Sequence, residues 1–393
     1  MVTVKKSTVV YIIILSLALL LPILMIPKTD HIARFRFERR TLEKPPTIEQ
    51  IAKDPKNGFV QFDNYINDHM GFGQLAIRIR RKASFHGLGV TGDKYIVGNG
   101  KGAYFLTSRY GDKPRKDPFR FWRHNCNTML TDQFQDRFAQ SIVKTEKVLG
   151  RFGAKVIFSA VPTKSVLLTS SLPRSTPKEI IADCEKIDSE NNGIMRAAKK
   201  LPNQNFYYPY DIFKTGTDAD PLFFPNAAYH WAGESTWAFI EGFAHHERLN
   251  LSKVWPKGPC VPHKVDWDIG SLVGTRTTVD GCDRDRRELR LNVFNSYNYP
   301  LNEGASINSV PLFALTNPYA SNDKKAVLVS NSFGPLVREQ FASLFTTTYH
   351  LNLNPLSEKQ VELLLHESDI LDVDYIVIVI ADFHYPTFIE RIK

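Results

Sequence analysis

Residues 326–330, AVLVS, are a short apolar run that Lys324 and Lys325 precede and that Asn331, Ser332, Phe333 and Gly334 end abruptly. Such a run suits a buried strand, and the polar helix pattern over 335–345 sets a helix directly behind the turn. The same alternation surrounds it. Residues 154–161 read as a buried strand, 177–200 as a helix, 206–210 as a short strand and 233–249 as a helix. Beyond the turn, 346–352 and 375–381 read as strands with a helix over 357–365 between them. Strands that alternate with helices form a parallel sheet and bring ligands to its carboxyl edge. The expected fold class is α/β, a parallel sheet flanked by helices.

The turn itself carries chemistry. Ser330-Asn331-Ser332-Phe333-Gly334 is close to the nucleophile elbow, with Ser330 where the first glycine stands. A serine there projects its hydroxyl above the sheet, and the first N–H groups of a following helix can hold an oxyanion. A serine after a strand is also commonly structural, so it needs a base. Of eleven histidines, His230 is the best placed, in the loop PNAAYHWAG just before a helix and between Tyr229 and Trp231. His245 and His246 fall inside a helix pattern, whereas His350, His366 and His384 near strand ends stay open as candidates. A carboxylate should orient the base. Two residues before His230 stands Ala228, and Asp211, Asp218 and Asp220 are the nearest acids upstream.

The amino-terminus constrains location. Lys5 and Lys6 precede twenty uncharged residues, 7–26, rich in Ile, Leu and Val, which is enough to span a bilayer as a helix. No small-x-small cleavage site follows, so an uncleaved signal anchor is expected, with the main domain exported. Arg34, Arg36, Arg39 and Arg40 lie just past the span and pull against that orientation. A formal charge of +9 over 393 residues suits an acidic polymer or an anionic surface. With no arginine-rich run and no nucleic-acid motif, DNA and RNA are not expected partners. Four cysteines without a C-x-x-C pair fit disulfides in an oxidising compartment, with Cys260–Cys282 the favoured pair, or else four buried thiols.

The remaining segments fill in the order. Residues 34–46 are a charged, proline-ended connector, and 47–85 carry apolar residues at helical spacing. Six glycines in 86–107 mark turns around hairpin strands at 95–97 and 103–105. Residues 131–150 read as a long amphipathic helix and 254–320 as an irregular insertion. No zinc-protease, dinucleotide-binding or P-loop motif appears, and the acid pairs Asp266/Asp268 and Asp372/Asp374 read as caps.

Several segments in this order resemble the SGNH-hydrolase-like O-acetyltransferases of bacterial exopolysaccharides, typified by the alginate O-acetyltransferases. FERRTL (37–42) is similar to the family's E-N-R-x-L, and FDNYINDHMGF (62–72) to its F-x-x-Y-x-x-D-H-x-x-F. GDKYIVGNGKGAYFL (92–106) resembles its glycine-rich hairpins, VPTKS (161–165) its V-P-P-K strand end and WDIGSL (267–272) its G-D-L-A-x-M-L. The family carries a D-x-H-W loop before a G-x-S-[FY] element. Here His230 matches the histidine, Trp231 the tryptophan, Ser332 the nucleophile and Phe333 the aromatic, while Ala228 falls where the family has its aspartate.

The resemblance implies an SGNH-like sheet with an amino-terminal transmembrane helix (1–27), a connector and hairpin region (28–125) and a catalytic domain (126–393) holding the insertion. It implies acetyl transfer to polysaccharide hydroxyls through an acyl-serine, with Ser332 as nucleophile and His230 as base, and with Lys164, Tyr229 and Trp231 near substrate. It implies no cofactor and no metal. The expected partners are the polysaccharide, a multi-spanning membrane O-acyltransferase that supplies the acetyl group and other secretion subunits, around an inner-membrane protein facing the periplasm. The missing acid, by replacement or by natural degeneracy, keeps two alternatives open: a non-catalytic binding subunit of an acetylation or export complex, and a polysaccharide acetylesterase.

Overall fold

Tyr375–Ala381, YIVIVIA, alternates two sets of branched apolar side chains, so it must be buried on both faces. It is β11, an interior strand of the main sheet. The computed structural model describes residues 43–69, 79, 83, 96–98, 104–106, 119–150, 153–174, 176–188, 190–203, 205–220, 222–225, 228–266, 278–300, 309–352 and 372–385. Two compact units result, Met1–Asp93 with Trp267–Thr277, and Lys94–Asp266 with Thr278–Lys393. In the first, α1 (Ile48–Lys53) starts at a capping box in which the Thr47 hydroxyl accepts from Gln50 N–H and the Gln50 side chain accepts from Thr47 N–H. Helix α2 (Pro55–His69) follows. The 7–26 run and the 37–42 and 267–272 motifs lie outside the described residues, among which no helix is long and apolar enough to cross a membrane.

The second unit opens with a hairpin in which β1 (Ile96–Gly98) pairs antiparallel with β2 (Tyr104–Leu106), then α3 (Arg120–Cys126) and α4 (Asp132–Leu149). Thr131 caps α4 by accepting from Phe134 N–H. Its chain continues through β3 (Lys155–Val161), α5 (Lys164–Leu167), α6 (Lys178–Cys184), α7 (Gly193–Ala198), β4 (Phe206–Tyr207), α8 (Tyr210–Ala219) and α9 (Glu234–Glu247). The single helix expected over 177–200 is two. The Asp188 side chain accepts from Glu190 and Asn191 N–H, and Asn192 then caps α7, so polar side chains compete successfully with helix continuation.

Next come β5 (Val261–Asp266), β6 (Thr278–Asp283), β7 (Asn292–Pro300), β8 (Ser309–Thr316), β9 (Lys325–Ser330), α10 (Arg338–Ala342) and β10 (Thr347–Asn352). The main sheet runs β4-β3-β11-β9-β10-β8-β7. From β4 to β10 every pairing is parallel, while β8 lies antiparallel to β10 and β7 antiparallel to β8. The sheet is thus mostly, not wholly, parallel. Residues 254–320, expected as an irregular insertion, hold four strands: β5 and β6 form a separate hairpin, and β7 and β8 extend the main sheet. Pro311, Asn295, Asn298 and a register shift between Phe294 and Tyr297 hide those strands from a periodicity reading. The 357–365 helix and His366 fall outside the described residues.

Two cores clamp the sheet. Ile376, Ile378 and Ile380 pack with Phe138, Ile142, Ile194 and Phe158 on one face. Val377, Val379 and Ala381 pack with Trp231, Phe239, Phe243 and Phe341 on the other. Each buried side chain of this size contributes about 1.5–3 kcal/mol. Two disulfides secure the edges. Cys260–Cys282 forms as expected across the hairpin, and Cys126–Cys184 joins α3 to α6.

Candidate active site

Strand β9 ends at Ser330, and the chain then turns through Asn331, Ser332 and Phe333 into a three-residue 3₁₀ turn, Gly334–Leu336, before α10. Asn331 builds this turn. Its N–H reaches Val379 of β11, its side-chain oxygen accepts from Phe333 N–H at 3.1 Å and its carbonyl accepts from Gly334 N–H at 3.1 Å. Its amide nitrogen lies 2.7 Å from His384 Nδ1, on the 3₁₀ turn that follows β11. The turn also rests on a buried pair, Ser330 Oγ and His350 Nε2, 2.8 Å apart. Gly334 is obligatory there. A methyl group on it would sit 1.7 Å from Ser330 Oγ and 2.2 Å from Ser330 Cβ.

His230 meets this elbow from the loop before α9. Its Nε2 lies 2.9 Å from Ser332 Oγ, a hydrogen-bond distance, and both side chains are half-buried. The neighbours on either side grip the same turn. Trp231, fully buried, donates its indole N–H to the Phe333 carbonyl at 2.8 Å. Tyr229 sets its ring 4.6 Å from the His230 ring and 5.7 Å from that of Phe333. Gly233 allows the loop to turn into α9 at φ 60°, pressed so closely on the Cys282 carbonyl that no side chain fits. Gln340 of α10 donates to Thr236 of α9 at 2.9 Å, which ties the two elbow-flanking helices together.

The structure therefore brings Ser332, His230 and Trp231 together, with Tyr229 against them. Ala228 is buried just upstream and brings no carboxylate. Of the three upstream acids, Asp218 pairs with Lys214, Asp220 accepts from Leu222 N–H, and Asp211 is exposed on α8. The expected row of helix N–H groups behind the serine is not there, because Asn331 takes those of Phe333 and Gly334. The Ser332 N–H has no acceptor among the described residues, which leaves it as the elbow's donor to an oxyanion. His245 and His246 lie exposed in the last turn of α9, and His246 Nδ1 is 3.0 Å from the Glu247 carboxylate.

Beside the pair, over β3 and β11, lies a small cleft lined by Phe105, Phe121, Trp122, Asn125, Thr163, Lys164, Ser165, Tyr229 and Phe383. Lys164 opens α5 and is buried, with its ammonium 5.7 Å from the Phe224 ring centre. Below the cleft sits Asp382, which a reading for motifs passes over. It accepts from Thr163 N–H at 3.1 Å, Thr163 Oγ1 at 2.7 Å, Asn125 Nδ2 at 3.1 Å and Tyr208 Oη at 3.1 Å. Burial pushes its carboxyl up to about 6 although those donors pull the other way. Its position was a usable signal, since an acid directly after a fully apolar strand lies at the carboxyl edge of the sheet. Burial also holds His350 down at about 3, with the Arg338 charge adding to it, so that imidazole is neutral and structural. Among the described residues no group of three or more His, Cys, Asp or Glu side chains is arranged to hold a metal ion.

No protein-family model and no curated protein matches this chain. Solved structures do. Bacillus cereus PatB1 carrying a sulfonyl adduct is 12% identical, the match covering 74% of this chain and 97% of that one, with a TM-score of 0.46. A DHHW family protein from Eubacterium siraeum is 11% identical over 64% of this chain and 85% of its own, with a TM-score of 0.44. The O-acetyltransferase domain of Pseudomonas putida AlgJ is 13% identical over 76% of this chain and 98% of its own, with a TM-score of 0.40.

Proposed function

We propose that this chain is an O-acetyltransferase that moves acetyl groups onto polysaccharide hydroxyls through an acyl-serine at Ser332. The carrying observation is the 2.9 Å contact between His230 Nε2 and Ser332 Oγ at the carboxyl edge of the sheet. The matched order of the segments in the sequence supports the acetyl and polysaccharide parts of the reading. His230 Nε2 takes the Ser332 hydroxyl proton as Oγ attacks the acetyl carbonyl. The tetrahedral oxygen is met by the Ser332 N–H. Collapse breaks the bond to the donor's leaving group, which receives the proton from His230. A sugar hydroxyl then gives its proton to His230 and attacks the acyl carbon, and the Ser332 oxygen leaves with that proton. For this the imidazole carries its proton on Nδ1, and the ring contacts with Tyr229 and Phe333 hold its plane in place of a carboxylate two residues upstream.

In the same reading the 7–26 run anchors the chain in the bacterial inner membrane with this unit in the periplasm. A multi-spanning membrane O-acyltransferase delivers the acetyl group there, and other secretion subunits carry the polymer. Incubation with p-nitrophenyl acetate tests the core of it. Mass spectrometry should find acetyl on Ser332, lost in Ser332→Ala, and His230→Ala should slow its formation by about 10²–10⁴-fold. Products formed with and without a glycan acceptor separate transfer from esterase action. Ala228 favours a second reading, a binding subunit that has lost turnover on the same fold. Absence of both an acetyl adduct on Ser332 and Ser332-dependent release of p-nitrophenol would favour that one instead.

A further inference from the structure

We propose that His384 is a positioning residue for the acetyl transfer set out above, on which its role rests: it holds Asn331, and through Asn331 the backbone that follows Ser332. The surroundings of the Asn331 amide fix which way round it lies. Its oxygen faces Phe333 N–H at 3.1 Å, and its nitrogen faces His384 Nδ1 at 2.7 Å. Turned over, the amide would set its own N–H against the Phe333 N–H, donor against donor. The nitrogen therefore donates to His384, and Nδ1 is the acceptor. An imidazole that accepts at Nδ1 is neutral and carries its proton on Nε2.

His384 can serve as a support because its own turn is fixed. It closes the 3₁₀ turn Asp382–His384 behind β11. Its ring lies 4.0 Å from that of Phe383, with the Phe121 ring edge-on at 6.3 Å. The turn starts at Asp382, which Thr163, Asn125 and Tyr208 hold from three other segments. That buried acid thereby anchors the turn from which His384 reaches the elbow. From the other side Trp231 donates to the Phe333 carbonyl at 2.8 Å. Phe333 is thus held at its N–H by Asn331 and His384, and at its carbonyl by the loop that carries His230. Ser332 lies between these supports, with its Oγ 2.9 Å from His230 Nε2. Without the bond to His384 the Asn331 amide is free to turn about Cβ–Cγ. Phe333 N–H then loses its acceptor, and Ser332 Oγ shifts against a base that stays where it was.

The tautomer is read by nitrogen NMR on the purified full chain with isotope-labelled histidine at mildly alkaline pH. The His384 signals are those that vanish in His384→Asn or move in Asn331→Asp. The proton is expected on Nε2, and a proton on Nδ1 overturns the proposal whatever the activity. The rate at which p-nitrophenyl acetate acetylates Ser332 reads the consequence. His384→Ala should slow it by about tenfold or more, toward the ~10²-fold that an ångström of misplacement costs. His384→Asn, whose side-chain oxygen can accept where Nδ1 did, should restore most of the rate, and His384→Gln should not. Circular dichroism melts establish which variants are folded. A wild-type rate in folded His384→Ala, or equal losses in the alanine and asparagine variants, overturns the proposal. A wild type that never acetylates Ser332 removes the acetyl-transfer reading instead, and the tautomer alone then decides whether His384 holds Asn331.

Discussion

Gly334→Ala would place a methyl carbon 1.7 Å from Ser330 Oγ and 2.2 Å from Ser330 Cβ. The hydroxyl can rotate away, although it then loses His350 Nε2. The Cβ cannot. Ser330 is fixed in β9 between β11 and β10, and Gly334 is fixed by its N–H bond to the Asn331 carbonyl. One of two rigid backbones must therefore move by the better part of an ångström. Overpacking of this kind costs about 1–3 kcal/mol, and the lost buried hydrogen bond adds roughly another 1. The displacement reaches Ser332, because Asn331 and Gly334 bracket it. Urea unfolding at constant slope should report the destabilisation, and labelling of Ser332 by a sulfonyl fluoride should slow in parallel. Adding Ser330→Gly removes both clashing atoms, so the double variant should be more stable than Gly334→Ala alone. A midpoint unchanged within about 0.5 kcal/mol, or no recovery on adding Ser330→Gly, would refute the close-packing account of the elbow.

Two buried groups should shape acid stability in opposite senses. Unfolded His350 binds a proton below its ordinary value of 6.5, and the folded one does not until about 3, so it removes stability as the pH falls through that window. Folded Asp382 stays protonated up to about 6 while the unfolded carboxyl ionises near 3.8, so it removes stability as the pH rises through its window. The slopes cancel where the windows overlap. Asp382→Asn should expose the histidine slope, making stability fall by about 1.4 kcal/mol more per pH unit on acidification than in the parent; identical pH profiles in urea would contradict it. Ala228→Asp should raise p-nitrophenyl acetate turnover, by up to ~10⁴-fold if the new carboxylate reaches the imidazole as in a serine triad; unchanged turnover would refute the triad reading of this position. Replacing Cys126 and Cys184 by serine opens a loop spanning 58 residues and should cost about 4 kcal/mol in a denaturation series.

Much of this was written in local pattern. The alternation of 375–381, the apolar run before Ser332 and the strand ending at 161 each specify a strand by side-chain period alone, and the structure places them side by side. The favoured cysteine pair was readable for the same reason, since it closes a short loop. Pairing of His230 with Ser332 could be suggested by residue type and order, but 102 positions separate them, and only the packing of α9 against the sheet brings their side chains to 2.9 Å. Other features had no local signature at all. Asn331 takes the N–H groups that a helix would have offered, because the chain after Ser332 tightens into a 3₁₀ turn over the Ser330–His350 pair. Strands β7 and β8 join the sheet because the hydrogen bonds of β8 to β10 and of β7 to β8 outweigh their weak period. Asp382 is held by residues from α3, from the end of β3 and from Tyr208 beyond β4. The sequence determined which segments are buried strands, since burial on both faces demands apolar residues at every position. Which polar atoms meet at their ends was decided by tertiary structure, because those contacts join residues from 20 to 257 positions apart, each with several partners in reach.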